Sequence, residues 1–158
     1  MDTPKEASDF LADGLELRWT ERTAVHRGVA KRPIELDNGP ELASSRTQFT
    51  NRLVGFVDRH RVAIELVYLP PYPSKYDPIE RCWGILEQHW KGTLLHSVEH
   101  ALHCAGTMTW RKLHPLIRKI TATYVRGVRI AKAAFEPIAQ RLLRSETLPK
   151  WSLTIQPD

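Results

Sequence analysis

Two carboxylates stand at points where the predicted secondary structure changes. Asp37 closes a short apolar segment, residues 34–37, that is typical of a β-strand. Glu80 falls in the first turn of a predicted helix over 78–90, where the helix dipole favours an ionised carboxylate. Ligands of open α/β sheets bind at the carboxyl ends of strands, which is where Asp37 is expected. Ionised carboxylates suit hard cations such as Mg²⁺, so the pair is a candidate metal site.

Both acids also have structural explanations. Asp37 precedes Asn38 and Gly39, a turn signal, and an aspartate there can accept a hydrogen bond from its own backbone. Asp77 and Glu80 have the spacing of a capping box, which satisfies the first amides of a helix without any catalysis. Spacing alone leaves both interpretations open.

The segments around the two acids alternate between strand and helix. Residues 47–60 predict an amphipathic helix, and 62–69 is β-branched and nearly continuously apolar, which favours a central strand covered on both faces. The helix over 78–90 has an apolar side that should face the core, formed by Ile79, Cys82, Trp83, Leu86 and Trp90. This strand–helix–strand–helix order is one half of an α/β sheet.

The remaining segments are predicted to be mainly helical. Helices are expected at 8–20, 97–109, 114–136 and 138–144, with a loop over 22–33 and a short strand in 151–155. No strand is predicted upstream of residue 34, so the sheet is expected to be incomplete.

Basic residues are concentrated in the last third of the sequence. Residues 111–144 contain nine Lys or Arg and one acid, Glu136. On a helical projection of 114–136, five of the basic residues share one side: Arg118, Lys119, Arg126, Arg129 and Lys132. Such a face suits nucleic-acid phosphates, or is a solvated helix face without a partner.

Composition restricts the class of protein. The 158 residues are 42% hydrophobic and 26% charged, as in a globular domain. No apolar run reaches the roughly 18 residues that a membrane span needs, and the N-terminus lacks the apolar region of a signal peptide. Cys82 and Cys104 are therefore expected to be reduced thiols in a cytoplasm.

Several motifs together resemble one family. They are DNGP at 37–40, PPYPSKY at 70–76, PIERCWG at 78–84, TMTW at 107–110 and LPKWS at 148–152. In this combination the chain resembles the Rhodopirellula-type DDE transposases of bacterial insertion sequences, within the mariner-like DDE superfamily. The similarity extends from about residue 8 to the C-terminus. Asp77 is a departure, because the family usually has asparagine there.

The resemblance implies an RNase H-like fold in which three acids bind two divalent metals, Mg²⁺ or Mn²⁺. Asp37 matches the second acid and Glu80 the third. The first acid belongs on an upstream strand, and no acid before residue 35 lies in a strand-like context. We therefore expect weak or absent metal binding and an inactive chain.

The expected fold class is α/β, with an incomplete RNase H-like domain over residues 1–95 and a basic, mainly helical segment over 96–158. The predicted function is that of a DDE transposase fragment, acting on insertion-sequence ends and target DNA at the bacterial nucleoid. Its protein partner would be a second copy or a complementing N-terminal fragment. The alternative is a non-catalytic DNA-binding or interaction protein derived from a transposase.

The incomplete sheet carries a prediction about folding. Without partner strands, the chain should melt without cooperativity or aggregate through unpaired strand edges around 62–69.

Overall fold

A four-stranded mixed sheet organises much of the chain in the computed structural model, which describes residues 8–37, 47–69, 78–125 and 128–158. The elements are α1 Ser8–Glu21, α2 Thr23–His26, β1 Lys31–Asp37, α3 Thr47–His60, β2 Ala63–Leu69, α4 Pro78–Trp90, α5 Val98–Thr107, α6 Lys132–Gln140, β3 Leu142–Arg144 and β4 Ser152–Ile155. Two compact units result: α4 and α5 lie in a helical unit, and the other elements lie in a sheet unit.

The strand order in the sheet is β1-β2-β4-β3. β1 and β2 are parallel, with Lys31 opposite Ala63 and Asp37 opposite Leu69, whereas β4 is antiparallel to both β2 and β3. The α/β prediction is confirmed. β2 is an interior strand, so the prediction of unpaired edges around 62–69 was wrong; among the described strands, β1 and β3 form the edges.

β2 buries every second side chain. Ile64, Leu66 and Tyr68 are at most 3% exposed, and the residues between them are half-buried. The buried side chains pack with the apolar face of α3, which consists of Phe49, Leu53, Val54, Phe56 and Val57. The prediction that this strand is covered on both faces was wrong, because such alternation is typical of a sheet with one covered face.

α1 lies against α3, and polar pairs join the two helices. The pairs are Asp9 with Gln48 at 2.9 Å, Asp13 with Arg52, and Glu16 with Arg59 at 2.8 Å. The exposed pairs, Asp13 with Arg52 and Glu16 with Arg59, contribute little one by one. The end of α1 adds Trp19, 8% exposed, to the core of the sheet unit. The predicted helix at 8–20 is confirmed.

The predicted helix over 114–136 was wrong. Within the described residues, 114–125 and 128–131 are not helical, and the helix present is the shorter α6. An isolated helix is marginal in water and depends on packing of its apolar face. Val125 and Val128 are 73% and 40% exposed, so apolar positions in this segment lack the packing that such a helix needs.

The predicted helix over 138–144 was also wrong beyond its first residues. α6 ends at Gln140, and Leu142–Arg144 then pair with β4. Arg141 marks the change of direction, since its guanidinium binds both carboxylate oxygens of Asp58, with Nη1 2.7 Å from Oδ2. The predicted strand in 151–155 is confirmed by β4, which places this end of the chain in the sheet.

The predicted loop over 22–33 contains regular structure at both ends. It includes α2 and the first residues of β1. The chain enters β1 through a backbone hydrogen bond from Ala63 N to Ala30 O, 2.9 Å long. Pairing with β2 therefore extends the predicted strand over 34–37 back to Lys31, which the local sequence alone did not indicate.

The helical unit has a small core. Leu86, Ala105 and Met108 are buried, with Ile85, Trp90 and Ile117 packed against them. Ser97 caps α5 by accepting a hydrogen bond from His100 N at 3.0 Å. Both cysteines are free thiols, and none of the helices in the described parts of the chain is long and apolar enough to cross a membrane.

The bounds predicted for α4 are confirmed, but its predicted core face is wrong for two residues. Ile79 is 46% exposed and Trp83 is 57% exposed, whereas Leu86 is 8% exposed. Periodicity correctly predicts that these side chains share one side of the helix. Whether that side is buried depends on what packs against it.

Candidate metal and DNA sites

Asp37 is the last residue of β1, at the carboxyl end of the parallel pair. The strand reaches Asp37 because β1 stays paired with β2 along its full length, ending opposite Leu69. The turn signal and the family motif that follow, residues 38–40, lie outside the described residues. The backbone position is therefore the one predicted for a ligand-binding edge of an α/β sheet.

Glu80 is the third residue of α4 and is exposed. Pro78 is the first residue of this helix, a position where proline costs no intrahelical hydrogen bond. The predicted cap, Asp77, and the PPYPSKY motif lie outside the described residues. An exposed carboxylate in the first helical turn lies beside the positive end of the helix dipole and is accessible to a cation.

The two acids belong to different units, Asp37 to the sheet unit and Glu80 to the helical unit. Carboxylate oxygens are suitable ligands for Mg²⁺ or Mn²⁺, so the donor chemistry of the pair fits a hard cation. Within the described residues no group of three or more His, Cys, Asp or Glu could bind a metal ion. A metal site shared by Asp37 and Glu80 thus remains a prediction.

The predicted basic face is not a helix face, and its members are distributed over both units. Arg118 and Lys119 lie in an irregular stretch of the helical unit. Lys119 Nζ is 3.2 Å from Glu99 Oε1, and both side chains are exposed. A hydrogen bond from its own backbone N–H, followed by Lys119, lowers the pKa of Glu99. The charge of Lys119 is therefore partly compensated.

The other basic candidates fall near α6. Arg129 is exposed in the irregular stretch before this helix, and Lys132 is its first residue and also exposed. Arg126 lies outside the described residues. The backbone beside Arg129 is fixed, since Ile130 N donates to Thr47 Oγ1 over 2.9 Å. Contact between these basic residues and DNA remains a prediction.

A group of basic residues in the sheet unit was not predicted from the sequence. Residues 22–33, predicted to be a loop, contain Arg22, Arg27, Lys31 and Arg32 and no acid. Arg32 Nη2 lies 2.6 Å from Nδ1 of the buried His26. The local excess of positive charge in residues 22–33 could have indicated this group. It is separate in sequence from the larger excess in the last third of the chain.

Tyr68, next to the last residue of β2, is a second feature that the sequence did not indicate. It lies opposite Leu36 in the register and is 3% exposed. Among the described residues its hydroxyl has no hydrogen-bond partner. Burial raises the pKa of Tyr68 to about 12, with a smaller opposing effect of Arg144. A neutral phenol is therefore buried near the sheet edge where Asp37 ends β1.

Comparison with known protein families matches residues 1–157 to the family described as Rhodopirellula transposase DDE domain. The match includes Asp37, Glu80 and every described element. No curated protein and no solved structure matches the chain.

Proposed function

The chain belongs to the Rhodopirellula transposase DDE domain family, and we propose that it supplies Asp37 and Glu80 to the strand cleavage and strand transfer steps of an insertion-sequence transposase. The observation that carries this proposal is the family match over residues 1–157. The placement of Asp37 at a strand end and of Glu80 in a first helical turn supports it. DNA is the proposed partner, and the bacterial nucleoid the proposed place of action.

In this proposal the two carboxylates bind a divalent cation beside the DNA. Bound Mg²⁺ or Mn²⁺ would activate the attacking oxygen and offset the charge that develops on the scissile phosphate. Glu80 is exposed in the first turn of α4, which leaves its carboxylate open to the cation. Asp37 lies on a strand paired along its full length, a rigid support for a ligand.

We propose that the first acid of the family is not Asp9, Asp13 or Glu16 of α1. Asp9, Asp13 and Glu16 all accept hydrogen bonds from α3 side chains, so they already serve to join the two helices. Without the first acid, this chain by itself would bind metal weakly and would not cleave DNA. A complementing N-terminal segment or a second copy of the chain would be needed for activity.

Metal binding tests the proposal without requiring activity. Electron paramagnetic resonance of Mn²⁺ should show weak binding to the wild-type chain that Asp37→Asn and Glu80→Gln each reduce severalfold. Glu87→Gln is the matched control, because Glu87 is also an exposed acid of α4 but lies outside its first turn. Equal binding by all four proteins would contradict the assigned roles, and nicking of plasmid DNA by the isolated chain would contradict the proposed inactivity.

The second candidate function is a non-catalytic DNA-binding protein. It is supported by the exposed basic residues Arg129 and Lys132, whose charges could contact DNA phosphates without a metal ion. DNA affinity that is unchanged by EDTA and by Asp37→Asn, together with absent Mn²⁺ binding, would support this function over the catalytic one.

A further inference from the structure

A cleft of about 550 Å³ lies at the amino ends of β1 and β2. Its walls are the end of α1, α2, the segment leading into β1, and the end of α3, so it lies within the sheet unit. Asp37 lies at the other end of β1, and a strand of seven residues spans about 20 Å. The cleft is therefore separate from the sheet edge assigned to metal chemistry, and its volume is within the range of ligand sites.

Positive charge dominates the lining of this cleft. Arg27, Arg59 and Arg61 all line it and are exposed. Arg59 is paired with Glu16, and Arg61 donates to the backbone carbonyl of Asp158. Arg27 makes no hydrogen bond or ion pair within the described residues, so its guanidinium is available to a ligand.

A buried histidine on the cleft wall reports the local electrostatic potential. His26 is 8% exposed and stacks on Trp19, with ring centroids 4.2 Å apart and planes 7° from parallel. Burial lowers the pKa of His26, and the neighbouring charges of Arg32, Arg18 and Arg22 lower it further. A neutral imidazole with its Nδ1 2.6 Å from an arginine nitrogen acts as an acceptor. Burial and the surrounding arginines therefore both disfavour a positive charge on His26 at this wall.

The cleft is also open to the close approach of a ligand. Gly28, on its lining, has a φ of +80°, and a Cβ built there would meet no atom within 4 Å. Positive φ favours glycine, which leaves the backbone without a side chain at this point. Planar guanidinium groups around such an opening match the oxygens of a phosphodiester, which they can bind through two parallel hydrogen bonds.

We propose that this cleft binds backbone phosphates of DNA through Arg27, Arg59 and Arg61. The inference relies on DNA as the partner in the proposed function, but not on catalysis by Asp37 or Glu80. Contacts of this kind position a duplex without reading its sequence. They add a DNA-binding surface in the sheet unit to the basic residues predicted from the last third of the sequence.

Fluorescence anisotropy with a short random-sequence duplex, in EDTA and at several salt concentrations, tests the proposal. Each lost phosphate contact reduces the slope of log K against log[salt] by about 0.9, which is roughly tenfold in affinity at ~0.1 M salt. Arg27→Gln should show one such reduction and Arg27→Gln/Arg61→Gln two. Arg27→Gln removes no contact among the described residues, so this variant is expected to fold like the wild type.

The matched control is Lys91→Gln/Lys150→Gln, which also removes two exposed positive charges but none from the cleft lining. If this control loses as much affinity as the cleft double variant, the effect is one of net charge and the proposal is wrong. If the wild-type chain binds DNA and neither cleft variant weakens binding, the cleft proposal fails and the proposed function stands. If the wild-type chain does not bind DNA, both fail.

A second readout locates the ligand. DNA phosphates in the cleft would offset the arginine charges, so the pKa of His26, followed by nuclear magnetic resonance, should rise when the duplex is added. Inorganic phosphate is the comparison probe. A rise with phosphate but none with DNA would overturn the proposal, because it would identify the cleft as a site for a small free anion.

Discussion

The sheet unit and the helical unit contain helices that are equally well predicted but very unequally buried. In the sheet unit, α3 lies against the sheet and its apolar residues Leu53 and Val57 are at most 1% exposed. In the helical unit, α4 has comparable periodicity, yet Ile79 and Trp83 are about half exposed. An apolar stripe in the sequence therefore predicts that a helix forms. How deeply the stripe is buried depends on how much surface the neighbouring helices and strands pack against it.

Core truncation gives the largest expected difference between the units. Leu66→Ala, at a site 1% exposed in the middle of β2, should lower the free energy of unfolding by about 3–4 kcal/mol because it leaves a cavity. Leu86→Ala, in a core of three buried residues, should cost about 2 kcal/mol or less, since a loosely packed site can relax. Urea denaturation measures both values. Equal losses would show that the two cores are packed equally tightly, contrary to the difference in burial.

The next effect concerns the attachment of the chain end to α3. Arg141→Gln should cost about 1–2 kcal/mol, because Arg141 binds Asp58 through two nitrogens and also donates to the Gln156 carbonyl at 2.7 Å. The side chain of Asp58 is 36% exposed, and solvent screening keeps the effect below that of a core truncation. Thermal melting measures the loss.

The loss of folding stability at acidic pH tests the same pair, Arg141 and Asp58. The hydrogen bonds from Arg141 lower the pKa of Asp58 below its ordinary 3.8 in the folded protein. Its stabilisation is therefore present above pH 3.8 and is lost as the pH falls through the folded value. The wild-type chain should lose this increment on acidification, and Arg141→Gln should not. If the wild-type chain and Arg141→Gln lose the same amount of stability on acidification, the role assigned to Arg141 is wrong.

A smaller effect of opposite sign is expected at the carboxyl end of β2. Tyr68→Phe should raise the free energy of unfolding by about 1 kcal/mol, because it removes a buried hydroxyl that has no partner in the described part of the chain. Because the pKa of Tyr68 is about 12 in the folded protein against an ordinary 10.0, the wild-type chain keeps its full stability below pH 10 and loses stability as the pH rises towards 12.

The pH dependence also provides the control for this substitution. The stability advantage of Tyr68→Phe over the wild type should widen above pH 10, because only the wild-type chain has a phenol that ionises more readily in the unfolded state. A destabilised Tyr68→Phe at neutral pH would show instead that the hydroxyl does have a hydrogen-bonding partner.

The smallest effect is expected in the helical unit at its exposed ion pair. Lys119→Gln should not change the melting temperature measurably, because Lys119 and Glu99 are both exposed and solvent screens their attraction. A loss as large as that of Arg141→Gln would mean that the helical unit depends on surface charge more than its small apolar core suggests.

Local pattern predicted the elements closest to the candidate acids well. The bounds of α3 and α4 were right at both ends, and β1 and β2 were found within a few residues. The failures lie where long-range contacts decide the outcome. Residues 114–125 have a helical period but no helix, and Leu142–Arg144 leave a predicted helix because β4 offers them a partner.

The candidate site residues also fall into those that the sequence indicates and those that only long-range contacts bring together. Motifs identified Asp37 and Glu80, and the structure places them at the predicted strand end and first helical turn. The arginine cleft was missed because its lining comes from separate stretches of sequence, around residues 19–30 and 59–61. A short stretch of sequence cannot indicate a cleft whose walls are brought together only by folding.

By itself, the sequence determined the two acids, the helix or strand type of the segments that carry them, and membership of the family, because these depend on local chemistry and ordered motifs. Only the tertiary structure decided which faces are buried, that the last strand inserts beside β2, and that scattered arginines line one cleft. Burial and strand pairing are properties of contacts between distant residues, and their free energy exists only after the chain has folded.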